Sequence, residues 1–532
     1  MSFILSIFIW IFLEKCKKII ENILINRIKD IKFICKNNSE NLMIKYRQTF
    51  SYVIISKYRK NLYPNKRQNK YNLSKIGFKI KIINQSFLKT LCYHGNRIKG
   101  GSYMKLELGK IRIDDIQFGE EICVKNHTLF VNKQEIIDLV LEDDKIKDCK
   151  IELAKPGEST RITPVKDVIE PRVKVSGGGE IFPGVIGKVN PTVGNGRTHA
   201  LDGACVITVG KIVGFQEGVI DMSGPAADYC PFSKTNNICV VVEPQEGLET
   251  HVYERAARLA GLKVAAHIGK AGKDIEPDSI ETFETKPIFE QAAEYPDLPK
   301  IGYVHMLQSQ GLLHDTYYYG VDAKQIVPTF MYPEEIMDGA IVSGNCVAPC
   351  DKVTTYHHFH NPVIEDLFKR HGKELNFMGV ILTNENVFLA DKERHSDMVA
   401  KLAEWMGLDG LLITEEGYGN PDTDLMMNCR KVANKGIKVA IITDEFPGKD
   451  GKSQSLADTC KEADAMVSCG QGNAVLHFPP MDRIIGMTDY IESQIGGWSG
   501  CMNEDGSFDA ELQIIIASTI ANGFNKLAAK GY

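Results

Sequence analysis

FMGVILT at 377–383, GLLIT at 410–414 and KVAIIT at 438–443 decide the fold of this chain. Each is a short, nearly unbroken apolar run, as a strand buried on both faces of a sheet requires. Between them lie longer segments of helical character, DKERHSDMVAKLAEWMG (391–407) and NPDTDLMMNCRKVANKG (420–436). A third such segment, KSQSLADTCKEA (452–463), leads to a fourth run, DAMVSCG (464–470). Strands alternating with helices predict an α/β fold with a doubly wound, mostly parallel sheet in the C-terminal half.

Outward from this core the pattern loosens. ICVVVEP (238–244) is an apolar run of the kind buried in a parallel sheet, KIGYVHML (300–307) and GAIVSG (339–344) read as further strands, and HVYERAARLAGLKVAAHIGKAG (251–272) as a helix. Upstream, KLELGKIRI (105–113) and EICVKNHTLFV (121–131) alternate at strand period, and KQEIIDLVLED (133–143) reads as a helix. VSGGGEIFPG, GNGRTHALDG and DMSGPAADYCPF fill 176–232 with loops around the short strand ACVITVG. The expected divisions are an extension over 1–103, a smaller β-rich, loop-rich lobe over 104–235, an α/β segment over 236–345, and an α/β domain over 346–532.

Composition sets the extension apart. Residues 1–103 hold 21 Lys and Arg against 4 Asp and Glu, while the remainder holds 42 against 64. The extension has no alanine and favours residues with AT-rich codons. Lys99-Gly100-Gly101 before Met104 fits a translated ribosome-binding sequence, so Met104 is the expected start. The apolar run 3–13 is too short to span a bilayer as a helix and has no basic residues before it. The acidic remainder argues against a nucleic-acid partner, and the reading is a cytoplasmic protein without a membrane anchor. Fourteen cysteines at scattered spacings fit reduced thiols rather than a disulfide framework.

The candidate chemistry lies in IVSGNCVAPCDK at 341–352. A thiol at Cys346 can attack the carbonyl of Asn345 and move the acyl group from nitrogen to sulfur. Elimination then leaves a dehydroalanine, which hydrolyses to an N-terminal pyruvoyl group. That ketone can form a Schiff base with an amine and draw electrons from the adjacent carbon. Gly344 permits the tight backbone this needs, and Asn345 tolerates unusual angles. Ser343 and Thr354 can polarise the carbonyl, and His357, His358 and His360 can move protons or simply form a polar loop after the strand. Cys350 either assists processing or is inert. Cys346, Cys350 and the three histidines also make a conceivable zinc set, although the spacing is not a zinc-finger one. Cys239 is a second candidate cut site, near Asn236 and Asn237, but sits inside an apolar run.

In a parallel sheet the ligand crevice lies beyond the carboxyl ends of the strands. Cys346 follows GAIVSG at one such end. Asn384, Glu385 and Asn386 follow FMGVILT, Glu415 and Glu416 follow GLLIT, and Asp444 and Glu445 follow KVAIIT. These can bind an ammonium group or exchange protons; alternatively they cap the helices that follow, as expected for Asp422. Arg197 and His199 can hold a substrate carboxylate or form surface pairs. GKAGK (269–273) lacks the phosphate-loop pattern, and there is no dinucleotide fingerprint, so neither nucleotide nor metal is expected.

From Met104 onward the sequence resembles the alpha and beta subunit proproteins of component B of the glycine, sarcosine and betaine reductases. KIRIDDIQFGE, ELAKPGESTRITPVKDVIEPRVKV, YCPFSKTNN, QGLLHDTYYYGVDAK, MDGAIVSGNC, TNENVFLADKER and EEGYGNPDTDLMMNC carry the likeness. The resemblance implies cleavage before Cys346 and a pyruvoyl group derived from it. It also implies an oxidoreductase of amino-acid fermentation, forming acetyl phosphate from glycine, or acting on sarcosine or betaine. The implied partners are glycine, a gamma selenoprotein subunit, selenoprotein A, component C and, indirectly, thioredoxin.

Overall fold

The computed structural model describes residues 104–190, 192–311, 313, 316–344 and 348–522. The extension over 1–103, Asn345 and Cys346 lie outside the described residues. The architecture is mixed α/β, built from several sheets.

Seven strands frame the C-terminal half: β1 (Lys300–Leu307), β2 (Thr329–Met331), β3 (Ile341–Ser343), β4 (Asn376–Asn384), β5 (Gly410–Thr414), β6 (Lys438–Glu445) and β7 (Met466–Gln471). Six of them form one sheet in the order β2-β4-β1-β5-β6-β7. All neighbours are parallel except the edge strand β2, which is antiparallel to β4. Every residue of β4 is buried, as its unbroken apolar run requires. Val304, Ile381, Ile413 and Ile441 face helices α1 (Leu389–Trp405) and α2 (Asn420–Ala433), meeting Val399, Ala403, Leu425 and Cys429. On the other face Tyr303, Leu307, Val380 and Leu382 meet Ile364 and Leu367 of helix Pro362–Arg370. Each buried aliphatic side chain there contributes about 1.5–3 kcal/mol. Asp422 takes the expected capping role: its carboxylate accepts from the Gly419 N–H at 3.3 Å.

Three elements differ from the sequence reading. Residues 452–463 form an irregular connector, not a helix. Only Leu456, Cys460 and Ala463 there pack on the sheet core. Its backbone finds tertiary partners instead: Ala457 N–H donates to Asp422 and Ser455 C=O accepts from Phe446. Strand β3 does not enter the parallel sheet. It pairs antiparallel with Thr316–Tyr318 in a separate three-stranded sheet. ICVVVEP, within Asn236–Pro244, lies between Ala204–Val209 (parallel) and Ile146–Ala154 (antiparallel), so its apolar run fills a mixed sheet.

The last part of the chain returns to the first lobe. Arg483–Gly486 pairs with Thr160–Ile169. Phe508, Leu512, Ile514 and Ile516 share a core with Ile162, Val168, Ile207 and Val219. Beneath them Arg161 makes a buried bidentate pair with Asp221 (2.7 and 2.8 Å), and its guanidinium lies 4.6 Å from the Phe508 ring centre. A chain cut at 345/346 is therefore expected to elute as one particle in gel filtration and to separate only under denaturation. Two independent peaks without denaturant would contradict this interleaving.

Candidate active site

The carboxyl ends of β1, β4, β5 and β6 converge, and their polar residues turn inward. Glu385, Glu415, Glu416 and Asp444 are all essentially buried. Glu385 accepts from the Glu416 N–H at 2.8 Å, which ties the end of β4 to that of β5. Glu416 accepts from the Val353 N–H at 2.8 Å and so holds the segment that follows Cys346. Thr443 donates to Glu415, and Thr519 donates to Asp444 at 2.6 Å. Burial first, then neighbouring carboxylates, raises all four well above the usual acid range. Like charges this close in a poorly solvated site cannot all ionise together.

Both flanks of 345–347 are anchored. On the near side the Ser343 N–H donates to Thr355 Oγ1 at 3.0 Å. Thr355 in turn gives its N–H (3.0 Å) and hydroxyl (2.6 Å) to Asp167, from strand Thr160–Ile169. The Gly344 carbonyl accepts from the buried Lys352 ammonium at 2.7 Å. On the far side Cys350, Asp351 and Asp444 place ligand-type atoms within 4.8 Å of one another. Asp351 is pushed up to about 7, by burial and then by the Asp422 charge.

Beside this loop lies a cleft of about 480 Å³, lined by Ala348 and Asp351 together with Gln308, Tyr418, Phe446 and Asn473. The Tyr418 and Phe446 rings lie 4.4 Å apart, centre to centre.

The other expected residues do different work. Thr354 caps helix Thr355–Phe359, accepting from the His357 N–H at 3.3 Å, and its hydroxyl meets His357 Nδ1 at 2.8 Å. His358 Nδ1 lies 3.3 Å from His305 Nε2. Burial lowers His357 to about 3 and His358 well below its ordinary value, so both are neutral at pH 7. Burial also disfavours the charged form of His360, but Glu170, 3.0 Å away, outweighs it and raises its pKa. The three rings therefore do not gather around Cys350 as a zinc set. Asn384 and Asn386 brace the end of β4, bonding to Ala323 and Asp424. Glu445 closes β6, and its carbonyl accepts from the Gly472 N–H. Arg197 donates twice to one oxygen of Glu107, and His199 contacts the Gly272 carbonyl at 2.8 Å; neither lines the cleft. Cys239 is wholly buried within its strand, where burial raises its thiol pKa.

Sequence reasoning missed Asp167, Asp351, Lys352 and Thr355. Their signal was charge in apolar company: Lys166-Asp167 inside a strand buried at all ten residues, and Asp351-Lys352 directly after Pro349-Cys350.

Fold and site together define a mixed α/β protein with a buried acidic cleft at the ends of a parallel sheet. A family model for glycine/sarcosine/betaine reductase component B subunits matches residues 104–530, and the chain belongs to that family. It is thus a component of an oxidoreductase complex. It is 73% identical over 429 residues to the sarcosine reductase complex component B subunit alpha of Peptoclostridium acidaminophilum, covering 81% of this chain and all of that one. It is 58% identical over 431 residues to the glycine reductase complex component B subunits alpha and beta of Acetoanaerobium sticklandii, again covering 81% and 100%. A D-proline reductase proprotein of A. sticklandii is 24% identical over 363 residues, covering 63% of this chain and 54% of the relative. No solved structure matches the chain. Among the described residues no helix is long and apolar enough to cross a membrane.

Proposed function

We propose that this chain is a self-processing proprotein, cut between Asn345 and Cys346, whose residue 346 becomes a pyruvoyl group that captures an amino-acid substrate. The observation that carries this reading is the clamp just before the cut. Lys352 holds the Gly344 carbonyl at 2.7 Å while Thr355 holds the Ser343 amide, next to a cleft that Ala348 lines. The name of the D-proline reductase relative, a proprotein, supports processing.

A pyruvoyl group supplies an electrophilic ketone that binds an amine covalently and withdraws electrons from its C–N bond. The rest falls to the chain. Asp167, through Thr355, fixes where β3 ends. Lys352 orients the peptide before Asn345 and offsets part of the carboxylate charge. Glu416 and Glu385 lock the strand ends and keep the cleft wall rigid. Of the expected assistants, Ser343 stays beside the Gly344 carbonyl, with its hydroxyl 3.4 Å away.

Identity is higher to the sarcosine reductase subunit than to the glycine reductase one, 73% against 58%, which favours sarcosine over glycine as substrate. Both carry a nitrogen with hydrogen to lose, as capture by a ketone requires. A gamma selenoprotein subunit, selenoprotein A and component C complete the proposed complex, with thioredoxin supplying electrons indirectly. Intact mass spectrometry of the purified protein tests the processing. The expected result is a chain ending at Asn345 and a second one whose first residue carries a hydrazine-reactive ketone. A single chain with an intact thiol at 346 in the active complex would refute it. Reduction assays of the assembled complex with sarcosine, glycine and betaine then rank the substrates.

A further inference from the structure

We propose that the cleft at the ends of β1, β5 and β6 is a methylammonium subsite: Asp351 takes the proton from the substrate nitrogen, and Tyr418 with Phe446 holds its N-methyl group. This rests on the amine-capture reading above and names the groups that prepare the amine.

Asp351 is 2% exposed, it lines the cleft, and its Oδ2 has no hydrogen-bond partner among the described residues. A buried acceptor without a donor is costly unless a ligand or water supplies one. The groups facing it among the described residues are Asp444 and Asp422, the buried acids Glu415 and Glu416, the thiol of Cys350, and the cation Lys352. Lys352 apart, these neighbours are acids or a thiol, so each one that ionises favours the cationic end of a zwitterion over its carboxylate. The cleft also offers the neutral amides of Gln308 and Asn473, and neither lysine nor arginine is among its described lining residues.

The aromatic pair answers a different question. Tyr418 and Phe446 stand 4.4 Å apart beside the acid, half-exposed at the rim. Aromatic faces attract alkylated ammonium groups, through the ring quadrupole and through contact with the methyl carbon. A bare ammonium can be satisfied by carboxylates alone; an N-methyl group needs an apolar wall next to the charge.

The chemical step is a proton transfer. The substrate's R2NH2+ gives one proton to the Asp351 carboxylate, leaving neutral R2NH and a carboxylic acid. The N–H electron pair stays on nitrogen and becomes available to a carbonyl. No oxidant or reductant is involved. Asp351 lies near neutrality, with its pKa pushed up to about 7, which suits a group that must accept and return a proton at cellular pH.

The test uses the full-length chain carrying Cys346→Ala, in which no ketone forms and binding is non-covalent. Titration calorimetry measures sarcosine and glycine. Tyr418→Leu in that background is expected to weaken sarcosine about tenfold, as the loss of one good cation–π contact does, and glycine less than about twofold. Asp351→Asn is expected to weaken both and to abolish the rise in affinity as pH climbs through neutrality. Equal effects of Tyr418→Leu on the two ligands, no binding to the parent, or tight stoichiometric Zn2+ binding lost in Asp351→Asn would overturn the proposal. If Asp351→Asn fails to fold, the rim variant and the parent's own pH profile decide. Hydrazine trapping on the wild-type protein reports the ketone separately, so a failed subsite and a failed pyruvoyl reading give different results.

Discussion

Replacing Cys346 by alanine is expected to leave one uncut chain, no hydrazine-reactive carbonyl, and substrate reduction at background in the assembled complex. In the proposed cleavage the sulfur of Cys346 does two jobs. It attacks the Asn345 carbonyl, and it carries the acyl group away when the Cα–H and Cβ–S bonds break. Alanine has neither a nucleophile nor a leaving group. The fold should survive, because the described anchors on either side do not use this thiol. Ser343 is held through Thr355 and Asp167, Gly344 through Lys352, and Val353 through Glu416. A denaturing gel, hydrazine labelling and a melting curve on the same preparation check all three points. Cys350→Ala is the contrast. That thiol is fully buried, so its loss should cost about 1 kcal/mol of stability and leave the cut in place. A Cys346→Ala protein that still matures, or a Cys350→Ala protein that does not, would move the chemistry to the second cysteine.

The cleft itself was half legible in the sequence. β4, β5 and β6 announced themselves as apolar runs because both faces of that sheet are covered. Polar residues directly after such runs had to crowd one edge, and Glu385, Glu415, Glu416 and Asp444 do. Nothing local could place β3. Its three residues are too few for a pattern, and its pairing with Thr316–Tyr318 is a tertiary choice. The same holds for 452–463, where the distant Asp422 and Phe446 claim the backbone groups that a helix would need. Residue type alone misled at the histidines. Three rings soon after a cysteine suggest proton traffic, yet their neighbours hold His357 and His358 neutral and engage His360 with Glu170. At Arg197 the sequence left substrate binding and a surface pair both open, and Glu107, 90 residues earlier in sequence, makes it a pair.

Lys352→Met should slow self-cleavage about 10- to 100-fold, as the loss of one charge-assisted hydrogen bond of about 1.5–3 kcal/mol to the peptide before the reacting carbonyl does. Lys352 is 1% exposed and reaches the Gly344 carbonyl at 2.7 Å. That bond holds the Gly344 carbonyl and, in the proposed cleavage, orients the peptide that leads into Asn345. Its charge matters as well: the Lys352 field favours ionisation of Asp167, Asp351 and Glu416, each otherwise pushed up by burial. Methionine keeps the length of the side chain and removes both the donor and the charge. The Gly344 carbonyl then keeps the weaker bond from the Ser343 hydroxyl, 3.4 Å away, and the nearby carboxylates hold their protons to higher pH. The expected phenotype is therefore a folded precursor that accumulates uncut, with the residual rate rising as pH is raised. Following the precursor band on denaturing gels after purification measures it. Lys369→Met, at a site 73% exposed on helix Pro362–Arg370, should mature at the wild-type rate. Equal rates for the two variants would mean that the ammonium holds the loop without steering the cut.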